Sequence, residues 1–599
     1  KPTRRFADVS LTHPPVPDVP RAVREDPVVN ATLRDHPDLF KIVCPIDVDR
    51  FAAYLDDHPN QDFVQSVVRA LREGFWPYAD VKPADYPDTW DERRPAPQEE
   101  KAAQFLRAQR DEEIALDRYS EGFGAELFPG MYSMPVHVVP KPHSEKFRLV
   151  NDQSAGAYSL NSMIRPEAIK GAVLDGIPAL GESLRKFRRA HAGEQLIMWK
   201  SDVSQAYRRM PVSPYWQIRQ VVTIDGVRYV DRCNLFGGRG SLRVWAAFDC
   251  LVAWIAENKA GVDFKLNYVD DDFGFAPISD VMWYEPYKRY FPTPQARLLT
   301  LWDELRIPHE LTKQLHGTDL PIIGFNVDPN AMTVTLPDEG KARLLDAIDS
   351  FCDITPGNRR RSLAEFQAFT GYANWAFNVY PLLKPALSNV YEKMIGKSDR
   401  LAGIYVNAAI VRDLQWLRSH VLKSPGVHFL SANAWSPADL VQGSLGDEFA
   451  LTDASGHGLG IYFPWLRLGF HCELPDGAPT ETIFFFEALA ICAAIHKARD
   501  WRKAGRCIKR LAILSDNSNS VAVFNSLRAS PTYNPILKSA VDVMVECAVD
   551  VRVDHIPGEL NVIADALSRG KLALVRERVP DITLFHLTPP RDALGAAQL

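Results

Sequence analysis

Two adjacent acids bracketed by apolar residues constrain this chain more than any other feature of its sequence. Asp270 and Asp271 follow Tyr268 and Val269, and a third acid, Asp272, precedes Phe273. This pattern predicts a tight hairpin that presents carboxylates at a sheet edge, where they can bind Mg²⁺. An acid-rich turn on its own is more often a solvated loop, so a second element has to decide between the two interpretations.

The second element is an acid at the end of another apolar run. Asp202 follows residues 196–199, which predict a buried strand. Phosphoryl transfer to a 3′-hydroxyl uses two metal ions about 3.5–4 Å apart, held by carboxylates from separate elements. Asp202 and Asp270 can supply that bridge, and Asp271 would lie beside them.

Further strings stand around these acids in a fixed order. They are Val139-Pro140-Lys141, Arg148-Leu149-Val150-Asn151-Asp152, the segment from Asp202 to Tyr207, Leu235-Phe236-Gly237, Thr312-Lys313 and Ile322-Ile323-Gly324-Phe325. In this order they resemble the reverse transcriptases. The chain departs from that family's pattern where Leu235 and Leu242 replace prolines, where the stretch after Asp152 is longer, and where Asp272 adds a third acid.

The resemblance implies an RNA-directed DNA polymerase. Asp202, Asp270 and Asp271 would be its catalytic metal ligands, with two Mg²⁺ ions per active site and Mn²⁺ able to substitute. Ile323, Gly324 and Phe325 would form the primer grip. The nucleotide-binding residues that the resemblance implies are Lys141, Arg148, Asp152, Tyr207, Phe236, Gly237 and Lys313.

A second set of isolated acids lies in the last third of the chain: Asp453, Glu487, Asp516 and Asp565. Asp453 precedes a glycine-rich turn, and Asp516 ends the apolar run 511–514. An acid at the end of a buried strand is costly unless it is paired or bound to a metal. In order and context the set resembles the ribonuclease H domains, which implies that the four acids hold two Mg²⁺ ions. His555 would assist proton transfer or product release; alternatively, it stabilises the turn that follows it.

These resemblances imply an α+β multidomain fold, a right-hand polymerase with fingers, palm and thumb followed by a ribonuclease H-like mixed α/β domain. We predict an extended Pro-rich arm at 1–47 and an N-terminal helical region and linker at 48–125, in which 101–116 is a charged surface helix. Fingers and palm follow at 126–339, a helical thumb or connection at 340–440, the ribonuclease H-like domain at 441–570 and a C-terminal tail at 571–599.

Three strings most resemble the DIRS-type, tyrosine-recombinase retrotransposons, with gypsy-like elements next: the early segment from His58 to Phe75, the string from Phe236 to Trp245 and the closing string from His555 to Arg569. The expected partners are an RNA template, a DNA primer, the RNA–DNA hybrid and deoxynucleoside triphosphates. A tyrosine recombinase and other element-encoded proteins are further expected partners. Two alternatives stay open: a domesticated or decayed retroelement protein that binds nucleic acid without catalysis, and a cellular DNA-templated polymerase with an unrelated nuclease.

Composition limits the class of protein further. Lys and Arg number 69 against 75 Asp and Glu, a net charge of −6, so contacts with nucleic acid have to come from local patches such as the basic run 497–510. No run approaches about 18 uncharged apolar residues, so we expect no membrane partner. Eight scattered cysteines without a CxxC predict reduced thiols in an intracellular protein of the cytoplasm or nucleus. Because the chain starts at Lys1, we expect a piece of a longer product.

Overall fold

The computed structural model describes residues 5–92, 99–140, 147–171, 173–430, 435–480 and 482–594, so that Lys141 lies outside the described residues. The chain divides into two compact units. Unit 1 comprises Lys1–Ile323 and Val327–Met332, and unit 2 comprises Gly324–Asn326 and Thr333–Leu599. The mixed helix-and-strand, multidomain class expected from the sequence is confirmed, whereas a division into fingers, palm and thumb stays a prediction.

Short helices and strands alternate through the first half of the chain. The helices are α1 (Arg21–Arg24), α2 (Pro27–Asp35), α3 (Val48–Tyr54), α4 (Gln61–Glu73), α5 (Glu100–Ala115), α6 (Pro166–Ile169), α7 (Ile177–Ala190), α8 (Pro214–Gln217), α9 (Ser241–Asn258) and α10 (Thr293–Glu304). The strands are β1 (Trp90–Asp91), β2 (Tyr132–Ser133), β3 (Val136–Pro140), β4 (Phe147–Asn151), β5 (Leu196–Asp202), β6 (Val221–Ile224), β7 (Val227–Val230), β8 (Leu266–Tyr268), β9 (Asp271–Pro277), β10 (Val281–Tyr284), β11 (Arg289–Pro292), β12 (Leu315–Gly317) and β13 (Leu320–Ile322).

Longer helices and a larger sheet follow in the second half. The helices are α11 (Asp338–Cys352), α12 (Leu363–Ala376), α13 (Ser388–Met394), α14 (Ala408–Lys423), α15 (Ile483–Lys503), α16 (Ser518–Ser526), α17 (Asn534–Cys547), α18 (Val562–Ser568) and α19 (Leu572–Arg578). The strands are β14 (Phe325–Asp328), β15 (Thr333–Thr335), β16 (Arg360–Ser362), β17 (Gly403–Tyr405), β18 (Val427–Phe429), β19 (Asp447–Ala454), β20 (Gly458–Phe463), β21 (Leu468–Glu473), β22 (Arg510–Ser515), β23 (Asp550–His555) and β24 (Thr583–His586).

An antiparallel sheet with the strand order β12-β5-β9-β8 carries the first acid set in unit 1. Strand β5 is buried at Leu196 and Met198 and only partly exposed at Asp202, its last residue. Helix α9 is apolar around most of its circumference, as expected of a helix enclosed by core. Its Phe248 shares one hydrophobic core with Trp199 of β5. Pairing within the sheet and packing against the core around α9 therefore fix the end of β5.

Residues 5–47 are not the extended arm that their prolines predicted. The described part contains a 3₁₀-helix, Ala7–Leu11, and the helices α1 and α2. Phe6 and Val9 are buried in the core that surrounds α9. Pro27 occupies the first position of α2, where the lack of an N–H costs nothing. Proline therefore starts a helix here. Contacts with distant apolar residues, which the local sequence does not show, pack the segment against the rest of unit 1.

A six-stranded mixed sheet carries the second acid set in unit 2, in the order β23-β22-β19-β20-β21-β24. Strands β19, β20 and β21 are antiparallel neighbours, and β22, β23 and β24 join in parallel. Helices α15 and α17 pack together in the core of this sheet through side chains such as Leu489 and Leu537.

This sheet extends beyond the boundary predicted at residue 570. Strand β24 pairs in parallel with β21, from Leu468 opposite Thr583 to His471 opposite His586, and Leu587 after it is fully buried. The described part of 571–599 therefore belongs to the sheet and is not a separate tail. Four residues with two polar ends give too short a pattern to distinguish such an edge strand from a loop.

Helices dominate the segment between the two sheets. Helix α12 begins at a capping box in which Ser362 and Glu365 each bond the other's backbone N–H. Strands β16 and β17 form an antiparallel pair, as do β15 and β18. Within the described ranges, no helix has the length and apolar character that crossing a membrane requires.

Candidate active sites

Strand pairing brings the first three acids to one end of the β5–β9 pair. Asp202 lies directly opposite Asp271 in the register of these strands. Asp270 occupies the two-residue turn between β8 and β9, which Tyr268 and Asp271 close as a pair. Carboxylates from two distant segments of the chain thus meet at the end of one sheet.

The turn that carries Asp270 is strained and held in place by α9. Val269 has a φ of +65°, a conformation that a β-branched residue rarely adopts. Such strain persists only where the surroundings fix it, and it is concentrated at functional sites. Nε1 of Trp245 donates a hydrogen bond of 2.9 Å to the carbonyl oxygen of Val269. Helix α9 therefore helps to fix the position of the Asp270 carboxylate.

Two lysines compensate two of these acids. Nζ of Lys200 lies 2.8 Å from Oδ2 of Asp271, and Nζ of Lys313 lies 3.0 Å from Oδ2 of Asp202. Burial raises the pKa of Asp202, while the contact with Lys313 acts against that rise. Burial and then the charges of Asp202 and Asp271 raise the pKa of Asp270. The three acids thus repel one another, and a further cation between them is favoured.

The contact of Lys200 with the acids was not predicted from the sequence, although Lys200 lies two residues before Asp202 on the same strand. Residues i and i+2 of a strand share one face, which was the available signal. Lys313, predicted to bind nucleotide, pairs with Asp202 in this structure, and its contact with nucleotide stays a prediction.

A cavity of about 770 Å³ opens beside the acids, within the size range of small-molecule sites. Its lining includes Asp202, Asp270, Arg148, Phe236 and Lys313, all of them singled out from the sequence. Acidic, basic and aromatic groups from β4, β5 and the turn after β8 therefore converge on one space. That combination suits a ligand with an anionic end and a planar end.

Tyr207 stacks on Phe236 at the side of this cavity. The two ring centroids are 4.8 Å apart, and Phe236 is 44% exposed. Burial and the nearby charge of Asp270 raise the pKa of Tyr207 to about 12. The Tyr207 ring therefore stays neutral, stacks on Phe236 and lies within range of the Asp270 charge.

The loop after Phe236 passes very close to the end of β4. Gly237 has a φ of +120°, and a Cβ there would lie 2.0 Å from the carbonyl oxygen of Asn151. Glycine is thus required at this position. Nδ2 of Asn161 donates a hydrogen bond of 2.8 Å to the carbonyl oxygen of Gly237. The long stretch after Asp152 therefore closes onto the cavity loop.

Asp152 contacts residues of its own neighbourhood, at the start of the long stretch that follows it. It is not among the residues that line the cavity. Its Oδ1 accepts a hydrogen bond from the backbone N–H of Ser154, and its Oδ2 lies 3.5 Å from Nε2 of His137. Its predicted contact with nucleotide stays a prediction, as does that of Lys141, which lies outside the described residues.

Helix α5 contributes to the cavity, although its sequence predicted a charged surface helix. Phe105 and Gln109 line the cavity, and Glu113 is buried at 5% exposure. The Glu113 carboxylate forms ion pairs with Arg118 and Arg208, which are also buried. A buried charge that has its partners elsewhere in the chain looks like a surface residue in the sequence. This is why the inward face of α5 was missed.

The predicted primer grip forms a tight turn. Ile323 and Gly324 both have a left-handed backbone, with φ of +54° and +82°. Phe325 stacks on Trp375 with ring centroids 4.6 Å apart. Contact of these residues with a primer stays a prediction.

Three acids of the second set meet at the ends of two parallel strands. Asp453 is near the end of β19, Asp516 directly follows β22, and Glu487 lies on α15. Thr452 and Ser515 are paired across β19 and β22, so the acids that follow them emerge side by side. One carboxylate oxygen from each of the three acids lies within 4.8 Å of the others.

This trio carries charge that the described residues do not fully compensate. Burial and then the charges of Asp453 and Asp516 raise the pKa of Glu487 to about 8. Burial also raises the pKa of Asp453 to about 6, against a hydrogen bond donated by the Ser568 hydroxyl. Oε2 of Glu487 is buried without a hydrogen-bond partner among the described residues. Such an atom is costly, and a divalent cation that prefers oxygen ligands fits it.

Asp565 and His555 lie near the trio but are not part of it. Oδ1 of Asp565 accepts a 2.7 Å contact from Nε of Arg569, and its charge still raises the pKa of Asp453. A Cβ on Gly460 would lie 2.3 Å from the carbonyl oxygen of Ala564, so glycine lets α18 lie directly against β20. His555 is exposed at the end of β23, opposite Ser515. The functions predicted for Asp565 and His555 stay predictions.

The basic run 497–510 is largely engaged in ion pairs. Four of its cations, Lys497, Arg499, Arg506 and Arg510, lie against Asp500, Glu546, Glu448 and Asp447 respectively. The structure therefore favours a structural role for this run over an open phosphate-binding face.

No protein-family model matches the chain, and no curated protein matches it. Similar solved structures include the foamy viral protease-reverse transcriptase dRH in complex with double-stranded DNA, at 14% identity and a TM-score of 0.40 over 87% of this chain and 85% of that one. Another is the foamy viral protease-reverse transcriptase with an RNA/DNA hybrid, at 15% identity and a TM-score of 0.40 over 87% and 65%. A third, with double-stranded DNA, has 14% identity and a TM-score of 0.40 over 85% and 96%. Superpositions this loose carry no functional argument.

Proposed function

We propose that this chain is an RNA-directed DNA polymerase joined to a ribonuclease H, which copies retroelement RNA into DNA. The observation that carries the proposal is the presence of two separate carboxylate sites, one in each unit of the chain. The first lies at a hairpin turn beside a cavity with a cationic and an aromatic wall. The second is a buried trio at the ends of parallel strands.

The first site supports nucleotidyl transfer. Its donors are carboxylate oxygens from separate strands, which fit Mg²⁺, and Asp202 and Asp270 would hold two such ions with Asp271 beside them. Bound Mg²⁺ would stabilise the charge on the attacking 3′-oxygen and on the transferred phosphate. Arg148 would bind triphosphate oxygens by charge-assisted hydrogen bonds. Tyr207 and Phe236 would form the wall against the sugar and base.

The second site supports hydrolysis of the RNA strand of a hybrid. Asp453, Glu487 and Asp516 fit Mg²⁺ because a buried Glu487 oxygen lacks any other partner among the described residues, and Asp565 would complete the set. Bound Mg²⁺ would supply an activated water and stabilise the leaving oxygen. Exposed His555 would exchange a proton at the mouth of the site. Mn²⁺ would substitute for Mg²⁺ at both sites.

The substrates would be an RNA template, a DNA primer, the resulting RNA–DNA hybrid and deoxynucleoside triphosphates, in the cytoplasm or nucleus. The closing string from His555 to Arg569 supports a DIRS-type origin with a tyrosine recombinase as partner, and a gypsy-like origin is the alternative. A reading frame for a tyrosine recombinase beside this one would support the first, and an integrase frame the second.

Primer extension tests the proposal directly. The chain should extend a DNA primer on poly-rA more efficiently than on poly-dA, and it should cleave a labelled RNA–DNA hybrid. Asp202→Asn should remove extension, whereas Asp319→Asn, at an exposed acid in unit 1, should not. Binding of the hybrid without synthesis or cleavage would favour a decayed binding protein. A preference for the DNA template would favour a cellular DNA-templated polymerase.

A further inference from the structure

The hairpin that carries Asp270 and Asp271 has a rear face and an outer edge, and both are occupied by buried charge. Successive residues of a strand point to opposite faces. Asp271 faces Lys200 at the cavity side, whereas Asp272, only 1% exposed, faces the other way. The third acid of the run therefore lies behind the site and not in it.

A buried polar cluster surrounds Asp272 on this rear face. Nζ of Lys265 forms an ion pair with Oδ1 of Asp272, and both residues are almost completely buried. Nδ2 of Asn267 donates hydrogen bonds of 2.7 Å to Oδ2 of Asp249 and 3.2 Å to Oδ1 of Asp272. Asp249 belongs to α9, the helix that also holds the turn through Trp245. The cluster thus ties both strands of the hairpin to α9.

The outer edge of the hairpin is closed by Asp175. Strand β8 is the last strand of its sheet, so the backbone groups of its outer edge need partners from elsewhere. The backbone N–H of Asp175 donates to the carbonyl oxygen of Asn267 at 2.7 Å. Oδ2 of Asp175 accepts from the backbone N–H of Asn267 at 3.0 Å. One residue therefore pairs with both backbone groups of Asn267.

The first described residues complete this edge. Oδ1 of Asp175 accepts a 3.0 Å hydrogen bond from the backbone N–H of Phe6. Nη2 of Arg5 donates a 2.7 Å hydrogen bond to the carbonyl oxygen of Lys265 and forms an ion pair with Glu257 of α9. The N-terminal segment thus contacts both the residue directly before β8 and the residue that covers its outer edge.

Stability alone does not require charge at this place. Apolar side chains of similar volume often replace a buried ion pair without loss of stability, whereas removal of one partner destabilises strongly. We propose that Asp175 and the Lys265–Asp272 ion pair are positioning residues, which fix the edge and the rear of the hairpin so that Asp270 and Asp271 hold their metal-binding geometry. Arg5 and Phe6 support the same edge of the hairpin through their contacts with Lys265 and Asp175. This inference rests on the proposed polymerase function of the hairpin.

The sharpest test replaces the ion pair as a whole. Lys265→Met with Asp272→Asn removes both charges and keeps side chains of similar size, and each single change shows the cost of an unpaired buried charge. We expect the double variant to unfold at about the parental temperature and to cleave hybrid normally. Its half-maximal Mg²⁺ concentration for primer extension should rise about 10-fold, because loss of groups that orient metal ligands typically costs about 10- to 100-fold in metal affinity.

Metal binding provides a readout that does not depend on activity. In full-length chain carrying Asp453→Asn and Asp516→Asn, which disable the nuclease site, Mn²⁺ titration by electron paramagnetic resonance reports the polymerase acids. The double replacement of the ion pair should weaken that Mn²⁺ binding. Parental Mn²⁺ binding together with parental extension in the double variant would overturn the role of the pair and leave it a packing contact.

A graded series tests Asp175. Asp175→Ala removes both carboxylate acceptors, whereas Asp175→Asn keeps one carbonyl oxygen, so Mn²⁺ binding should weaken more in the Ala variant. Asp263→Asn, at an exposed acid just before β8, is the matched control and should bind Mn²⁺ as the parent does. Equal binding by all three variants would overturn the role of Asp175. If the parent extends no primer, the proposed function fails, and the Mn²⁺ titrations still decide the positioning role.

Discussion

The two acid sites of the chain balance their charge in opposite ways. At the first site Lys200 and Lys313 lie against Asp271 and Asp202. At the second, Glu487 keeps a buried oxygen without a partner among the described residues, and its pKa rises to about 8. The first site therefore pairs two of its carboxylates with cationic side chains of its own. The second keeps a proton at neutral pH until a cation takes its place.

The contacts that hold the acids in place also differ between the two sites. Asp270 stands on a strained turn that depends on Trp245 of α9 and on the rear cluster of the hairpin. Asp453 and Asp516 emerge from regular parallel strands and Glu487 from a long helix. At the first site, side-chain contacts therefore add to the strand pairing that brings Asp202 opposite Asp271. At the second site, regular strands and a long helix place the acids. We expect substitutions of supporting side chains to affect polymerisation more than cleavage.

The largest effect should come from removal of one acid at each site. Asp270→Asn should reduce DNA synthesis at least about 100-fold, as does loss of a key electrostatic group in other enzymes, and leave hybrid cleavage intact. Asp453→Asn should do the reverse, because the two sets of acids lie in separate units. Both activities are measured on one preparation by primer extension and by release of labelled RNA. Loss of both activities in a folded single variant would contradict two independent sites.

Removal of Arg148 should have the next largest effect. The side chain lines the cavity beside Asp202 and Asp270 and would contact triphosphate oxygens. Arg148→Ala should lower kcat/KM for deoxynucleotides about 10- to 100-fold, the value of a charge-assisted hydrogen bond. Arg148→Lys keeps the charge but loses the two-pronged donor and should fall between parent and Ala. An unchanged nucleotide dependence in steady-state extension would remove Arg148 from the binding site.

Selection against ribonucleotides tests the aromatic wall. Tyr207 stacks on Phe236, which lines the cavity together with Asp270, and the sugar of a bound nucleotide would lie there. Tyr207→Val opens space, so incorporation of ribonucleotides relative to deoxynucleotides should rise about 10-fold, the value of one steric contact in a pocket. The measurement is the ratio of kcat/KM for the two nucleotide types. If Tyr207 only packs, the cavity left behind depresses both alike and the ratio does not change.

The sequence predicted those parts of the sites that are local. Asp202, Asp270, Asp453 and Asp516 each end or adjoin an apolar run, and the structure places them at strand ends or in a turn. The cost of an acid at such a position makes it visible without any structure. Pairing of the strands then brings the acids together, and this could be anticipated only through the resemblance to known enzymes.

Parts that depend on distant contacts could not be predicted. Glu113 reads as one more charge on a surface helix, yet its partner Arg208 is 95 positions away in the chain. Phe6 and Asp175 are separated by 169 positions and are joined by a single hydrogen bond. Strand β24 has no pattern of its own and exists because β21 offers it an edge. In each case the decisive partner is absent from the local sequence.

The charge balance of the second site should appear in its pH dependence. In metal-free chain the folded state keeps a proton on Glu487 between pH 4.5, the ordinary pKa, and about 8, whereas the unfolded state releases it. Stability of unit 2 should therefore fall as pH rises through this window. Glu487→Gln removes this contribution and should raise the unfolding temperature at pH 8 in EDTA by several degrees, at about 2–4 °C per kcal/mol. At pH 8, Mg²⁺ should stabilise the parent more than the variant.

Calorimetry of the parent and Glu487→Gln at pH 5 and pH 8 measures this effect. A Glu→Gln change at exposed Glu473, on the same sheet, controls for loss of surface charge. An equal slope with pH in the parent and in Glu487→Gln would show that Glu487 does not carry the proton.

The smallest effect should come from the support of the acidic turn. Trp245→Phe keeps an aromatic ring in the core and removes only the N–H that bonds Val269. One such hydrogen bond is worth about 0.5–1.5 kcal/mol, so single-turnover extension should slow about 2- to 10-fold if the bond fixes the Asp270 carboxylate. Trp254→Phe makes the same change on the same helix, about two and a half turns further along the chain, and should leave extension at the parental rate. Hybrid cleavage should be equal in all three chains, because α9 belongs to unit 1 and the acids of the second site lie in unit 2. If both tryptophan variants slow extension alike, the turn depends on general packing of α9 and not on this bond.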